Sequence, residues 1–85
     1  MELFEVFLAK QGAEDRLLSA DIKESTGAQV MTPQMAELVG LQGVPDDPQG
    51  RHRVLIACRP SDVRLIHTRL ERNEEVTSFK LHKLG

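Results

Sequence analysis

Residues 3–9, Leu-Phe-Glu-Val-Phe-Leu-Ala, make a short run rich in strand formers and closed by Lys-Gln-Gly, the pattern of a β-strand. Alternation puts Phe4, Val6 and Leu8 on one face and Leu3, Glu5, Phe7 and Ala9 on the other. Both faces are largely apolar, which suits a central strand. Arg53 to Arg59 has a continuous apolar centre, the mark of an interior strand. Pro60-Ser61-Asp62 then opens a helix, with Ser61 as N-cap and Asp62 favourable at the positive end of the helix dipole. Val63, Ile66 and Leu70 recur at i, i+3 and i+7 and make its buried stripe, and Asn73 stops it. Val76 to Lys83 alternates again, with Thr77, Phe79 and Leu81 on one face and Ser78, Lys80 and His82 on the other. A strand–helix–strand unit of this kind crosses over right-handedly between parallel strands.

The middle of the chain is less legible. Residues 13–25 have a helical composition of Ala, Glu, Arg, Leu and Lys. Against that, Leu18, Ala20 and Ile22 alternate with Ser19, Asp21 and Lys23, as on a half-buried strand. A helix ending near Gly27 is the favoured reading, and a hairpin partner for the first strand is its rival. Thr32-Pro33 is a helix start, with Thr as N-cap and Pro at the first helical position, and Gly40 is a stop. The stretch from Glu37 to Val44 reads alternatively as a strand leading into a hairpin. Pro45-Asp46-Asp47-Pro48-Gln49-Gly50 is the clearest connector.

Joined together, the elements predict one α+β domain over residues 1–85. Its fold is a four-stranded, mainly antiparallel sheet with two helices on one face, in the order βαββαβ of a ferredoxin-like open sandwich, with ββαβαβ as the alternative. Within that superfold the second half resembles ACT-type regulatory domains. The likeness is carried by the apolar strand at 53–59, the helix opened by Ser61, and Glu75-Val76-Thr77-Ser78-Phe79-Lys80-Leu81 as the closing strand. The resemblance implies a small ligand held at a dimer interface near Gln11-Gly12-Ala13, where the family places its Gly-containing first loop. The Asp-Arg-Pro-Gly pattern expected there is missing.

Size and composition change the picture in one respect. An 85-residue chain buries only roughly 60–65% of the surface its unfolded form exposes. With three aromatic residues, Phe4, Phe7 and Phe79, its core must come from Leu, Val, Ile and Met. Small domains without disulfides or metals often gain stability by oligomerising. A single layer of helices also leaves one sheet face open, and apolar area beyond a few hundred Å² usually marks an interface. A homodimer is therefore expected, with Leu3, Phe7, Phe79 and Leu81 as the self-association residues. The competing reading is that a loop such as 28–35 folds over that face.

The net charge of −2 argues against a strongly basic nucleic-acid binder. Nucleic acid is an unlikely partner for a second reason: no aromatic–basic signature accompanies Phe7 and Phe79. The average hides an asymmetry. Residues 1–50 hold three bases and nine acids, −6, and residues 51–85 hold eight bases and four acids, +4. Arg64, Arg69 and Arg72 lie opposite the buried stripe of the last helix, with Leu65 among them. Arg is favoured where bidentate contacts to carboxylate or phosphate matter, so this face is the candidate for an acidic protein partner. A solvated face with intrachain pairing is the commoner outcome for such charges.

Soft-ligand chemistry is sparse. Cys58, His52, His67 and His82 show no C-x-x-C or H-x-x-x-H spacing, so no metal or cofactor is expected. Cys58 reads as a small buried hydrophobe. Asp46-Asp47 sits on a proline-rich loop, a poor place to preorganise a site. The acidic start Met1-Glu2-Leu3-Phe4 does not read as a targeting segment, no run approaches a membrane span, and a lone cysteine suits a reducing cytoplasm. The functional expectation is a non-catalytic, self-associating adaptor or regulatory module acting through protein–protein interaction. An ACT-like small-ligand sensor is the first alternative, and a minimal enzyme using Cys58 or a histidine the second.

Overall fold

The computed structural model describes residues 1–9, 13–50 and 52–83, with side chains in the first helix from residue 20 onward. Within these residues four strands, β1 (Glu2–Leu8), β2 (Gln29–Met31), β3 (Arg53–Cys58) and β4 (Val76–Lys83), form one sheet in the order β2-β3-β1-β4. All three neighbouring pairs are antiparallel. Among the described residues three helices accompany them: α1 (Ala13–Thr26), α2 (Pro33–Leu38) and α3 (Val63–Arg72), the last preceded by a 3₁₀ turn at Pro60–Asp62. The class is α+β, and two of the helices are long.

The ambiguous first half resolves into a helix and a minimal strand. At the end of α1, the Thr26 hydroxyl donates to the Ile22 carbonyl at 2.9 Å and accepts from the Ala28 amide at 3.0 Å. Gly27 then turns the chain at φ 75°, a left-handed conformation that glycine adopts without a Cβ penalty. The segment from Glu37 to Val44 is not a strand. It contains the end of α2, whose Thr32 cap accepts from the Met35 amide at 3.1 Å with Pro33 in the first turn. Gly40 follows at φ 74°, and the Leu41 amide reaches back to the Ala36 carbonyl at 3.0 Å.

Ser61 does not cap α3. Pro60, with φ already fixed for a helical turn, starts the winding early, so Arg59 is the N-cap of the 3₁₀ turn and Asp62 precedes α3 without a side-chain cap bond. The Asp62 carboxylate is engaged instead by Arg59 Nε at 3.0 Å. Asn73 ends α3 as its sequence suggests.

The strand register divides the apolar residues between two faces. On one, Phe4, Val6, Leu8, Val54, Ile56 and Cys58 pack under Ile22 of α1 and Ile66 and Leu70 of α3. On the other, Leu3 and Leu55 pack against Ala36 of α2, with Met31, Leu41, Val44 and Ala57 around them. Thus α1 and α3 share one face while α2 and the chain after it cover part of the opposite one. The expectation of an open apolar face is corrected by this arrangement: Leu3 and Phe7 are 0% and 3% exposed.

Candidate functional site

At the centre of the α2 face lies a buried carboxylate. Glu5 is 4% exposed, because β1 is interior and its odd-numbered side chains point under the α2 segment. An acid there is tolerated only when its charge is matched. Arg53 of β3 supplies the match, its Nη1 donating to Glu5 Oε2 at 2.6 Å. His82 Nε2 of β4 stands 3.1 Å from the other oxygen, Oε1. Arg53 Nη1 also donates to the Pro45 carbonyl at 2.7 Å, which ties the connector after α2 to the sheet. The cluster joins three strands and pins the segment that covers them. Sequence reasoning missed it, although a Glu inside an apolar strand and an Arg at the head of another were its visible signals.

Two cavities flank this core. One, of about 330 Å³, lies between α2 and the connector, with Arg53 in its wall and Glu37 and Asp46 among its lining residues. The other, of about 500 Å³, opens where β1 begins and β3 ends, lined by Met1, Thr26, Ala28, Cys58, Arg59 and Asp62 among others. The Cys58 thiol is buried, and its pKa is raised above the ordinary 9.0 by burial first, then by the charges of Asp62 and Glu2, against a smaller opposing pull from the N-terminal amine. A thiol held protonated is a weak nucleophile. Glu2, opposite Cys58 in the register, keeps one carboxylate oxygen buried without a hydrogen-bond partner among the described residues.

The residues singled out for self-association do not form one patch. Phe79 lies opposite Val6 and Leu81 opposite Phe4, so both belong to the α1–α3 side. Phe79 packs against Phe4 at 6.1 Å between ring centroids, with the His67 ring edge-on at 5.0 Å. It is Ser78, Lys80 and His82 that share the face of Phe7, Glu5 and Leu3. Phe7 and Phe79 therefore make no common stacking platform.

On α3, Arg64, Leu65, Arg69 and Arg72 are all exposed. Arg69 is engaged by Asp21 of α1 at 3.2 Å, so part of this face is paired within the chain. His67 and Glu71 form a second exposed pair at 2.6 Å. Gln11 and Gly12 lie outside the described residues, as does the side chain of Ala13. Among the described residues no group of three metal-ligating side chains converges, and no helix is long and apolar enough to cross a membrane.

The largest departure from a polar surface is on α2. Leu38 is 86% exposed, Val39 72% and Met35 52%, while Ala36 between them is buried. A six-residue helix has room for only one inward turn, so its other apolar residues face outward. In comparisons with known proteins, no family model, curated protein or solved structure matches the chain, so the ACT-type likeness gains no support from relatives.

Proposed function

We propose that this domain is a non-catalytic adaptor or regulatory module that self-associates and works through protein contacts. The observation that carries the reading is the outward apolar run of Met35 and Leu38 on α2 and Val39 at its C-cap. Contiguous exposed apolar surface on so small a protein is typical of an interaction site, and α2 is fixed to the sheet rather than free to fold its apolar residues inward. The exposed Arg64, Leu65 and Arg72 on α3 offer a second, basic surface suited to an acidic protein partner. A cytoplasmic setting fits a single unpaired cysteine.

The topology supports a finer fold reading as well. With α2 set aside as an insertion, the element order is βαββαβ and the sheet order β2-β3-β1-β4, as in a ferredoxin-like open sandwich.

Light scattering at micromolar concentration tests self-association. A dimer mass is expected, and a strictly monomeric mass would overturn it. The cavity of about 500 Å³ beside Cys58 favours a second reading, a small-ligand sensor. A thermal-shift screen of amino acids and nucleotides tests that reading: a ligand at 100 times its dissociation constant adds about 2.7 kcal/mol, and no shift with any of them would remove it.

A further inference from the structure

The helices on the two sides of the sheet carry opposite charge. Residues 24–50, which include β2, α2 and the connector after it, hold four acids, Glu24, Glu37, Asp46 and Asp47, and no Lys or Arg. α3 carries Arg64, Arg69 and Arg72 against Glu71 alone. Pairing within the chain removes some of these charges. Asp21 engages Arg69 and His67 engages Glu71. Among the described residues no carboxylate engages Arg64 or Arg72, and no cation engages Glu37 or Asp46. The charges left over are positive on α3 and negative beside α2.

Each set also frames apolar surface. Arg64, Leu65 and Arg72 lie on the side of α3 turned away from the buried Ile66 and Leu70, and Leu65 is 41% exposed. Glu37 is exposed between Met35 and Leu38. With Asp46 it lines the cavity of about 330 Å³ beside α2, which has room for the end of an arginine side chain. Arg53 in the cavity wall is already neutralised by Glu5. Because α2 and α3 lie on opposite faces of the sheet, neither can meet the other within one copy.

Resting on the self-associating reading above, we propose that copies of this chain join head to tail, the Arg64–Leu65–Arg72 face of α3 seating on Met35, Leu38 and Val39 of the next copy. The arginine stems lie over that apolar surface, and their guanidinium groups meet Glu37 and Asp46 in charge-assisted hydrogen bonds. Like faces are disfavoured: two α3 faces set arginine against arginine, and two α2 faces set carboxylate against carboxylate. The contact is heterologous, so a copy that uses one face keeps the other free. A dimer is then the first member of a series that lengthens with concentration, not a closed two-fold pair.

Sedimentation velocity with one variant for each face tests this. Leu38→Arg blocks the α2 face, and Arg64→Glu with Arg72→Glu blocks the α3 face, all at exposed positions. The wild type should pass beyond the dimer mass as concentration rises, and each variant alone should stay monomeric over the same range. An equimolar mixture of the two should form a dimer and stop there, because it joins one intact α3 face to one intact α2 face. Leu65→Asp repeats the α3 arm if the double variant fails to fold. A wild type that stops at the dimer, an α3 variant that still dimerises alone, or a mixture that stays monomeric would overturn the head-to-tail contact while leaving self-association standing. A wild type that is monomeric throughout would overturn both.

Discussion

On the helix side of β1, Phe4, Val6 and Leu8 meet apolar neighbours from α1, α3 and β3. On the opposite side, Leu3 and Phe7 flank Glu5, a carboxylate neutralised by Arg53 and approached by His82. The first side is held by area, at roughly 25 cal/mol per Å² of apolar surface buried. The second combines a smaller apolar cluster with an ion pair whose geometry must be kept, since buried charges are costly without their partners. An 85-residue chain thus puts its two long helices on one sheet face and covers part of the other with the six-residue α2, while Arg53 latches the connector after it through the Pro45 carbonyl. With both of these apolar clusters covered within the chain, the apolar residues left exposed in the second half of α2 and its C-cap, Met35, Leu38 and Val39, stand apart from the core.

The largest loss of stability is expected on the helix side. Phe4→Ala removes a fully buried ring from beneath α1 and α3 and should cost about 4 kcal/mol, measurable by urea unfolding. Arg53→Met, which leaves Glu5 buried with only His82 near it, should cost about 3 kcal/mol. Adding Glu5→Leu to it should recover much of that loss, because an apolar pair of similar volume needs no matched charge. No such rescue would mean that the latch to Pro45, not the charge pair, is what holds the second face.

A smaller effect follows from the raised pKa of Cys58. The folded state keeps the thiol proton to higher pH than the unfolded state does. Below about 9.0 both states hold the proton and stability is unaffected by it. As pH rises past that value the unfolded chain binds fewer protons, so stability falls. Unfolding curves across that range should show the loss in the wild type and less of it in Cys58→Ala relative to that variant's own stability at neutral pH. Smallest of all, Leu38→Ser should change stability by no more than about 0.5 kcal/mol, since its side chain faces outward.

Much of this division was legible in residue patterns. Two apolar faces of β1, the apolar centre of β3, the Val63–Ile66–Leu70 stripe and the alternation of β4 from Ser78 onward all express local periodicity, and each appears where its pattern puts it. What could not be read was long-range. A three-residue β2 is too short to establish a period, and α2 shows its Thr32-Pro33 start but not which side it buries. The Glu5–Arg53 pair spans 48 positions, and nothing local couples them. Phe79 was grouped with Phe7 because register between β1 and β4 decides which alternating set shares a face. A bulge at the start of β4 is equally unreadable from alternation: Ser78 and Val76 oppose Phe7 and Leu8, leaving Thr77 unopposed, with its hydroxyl donating to the Phe7 carbonyl at 3.1 Å. Capping at Ser61 failed because Pro60 began the turn first.

Hydrogen exchange of the backbone amides at low and high protein concentration tests self-association through the exposed apolar residues of α2 and its C-cap. Amides between Gln34 and Val39 should become protected as concentration rises, while those of the interior strand β1 do not change. Exchange in α2 that is independent of concentration, across a range in which the mass of the particle doubles, would contradict association through that surface.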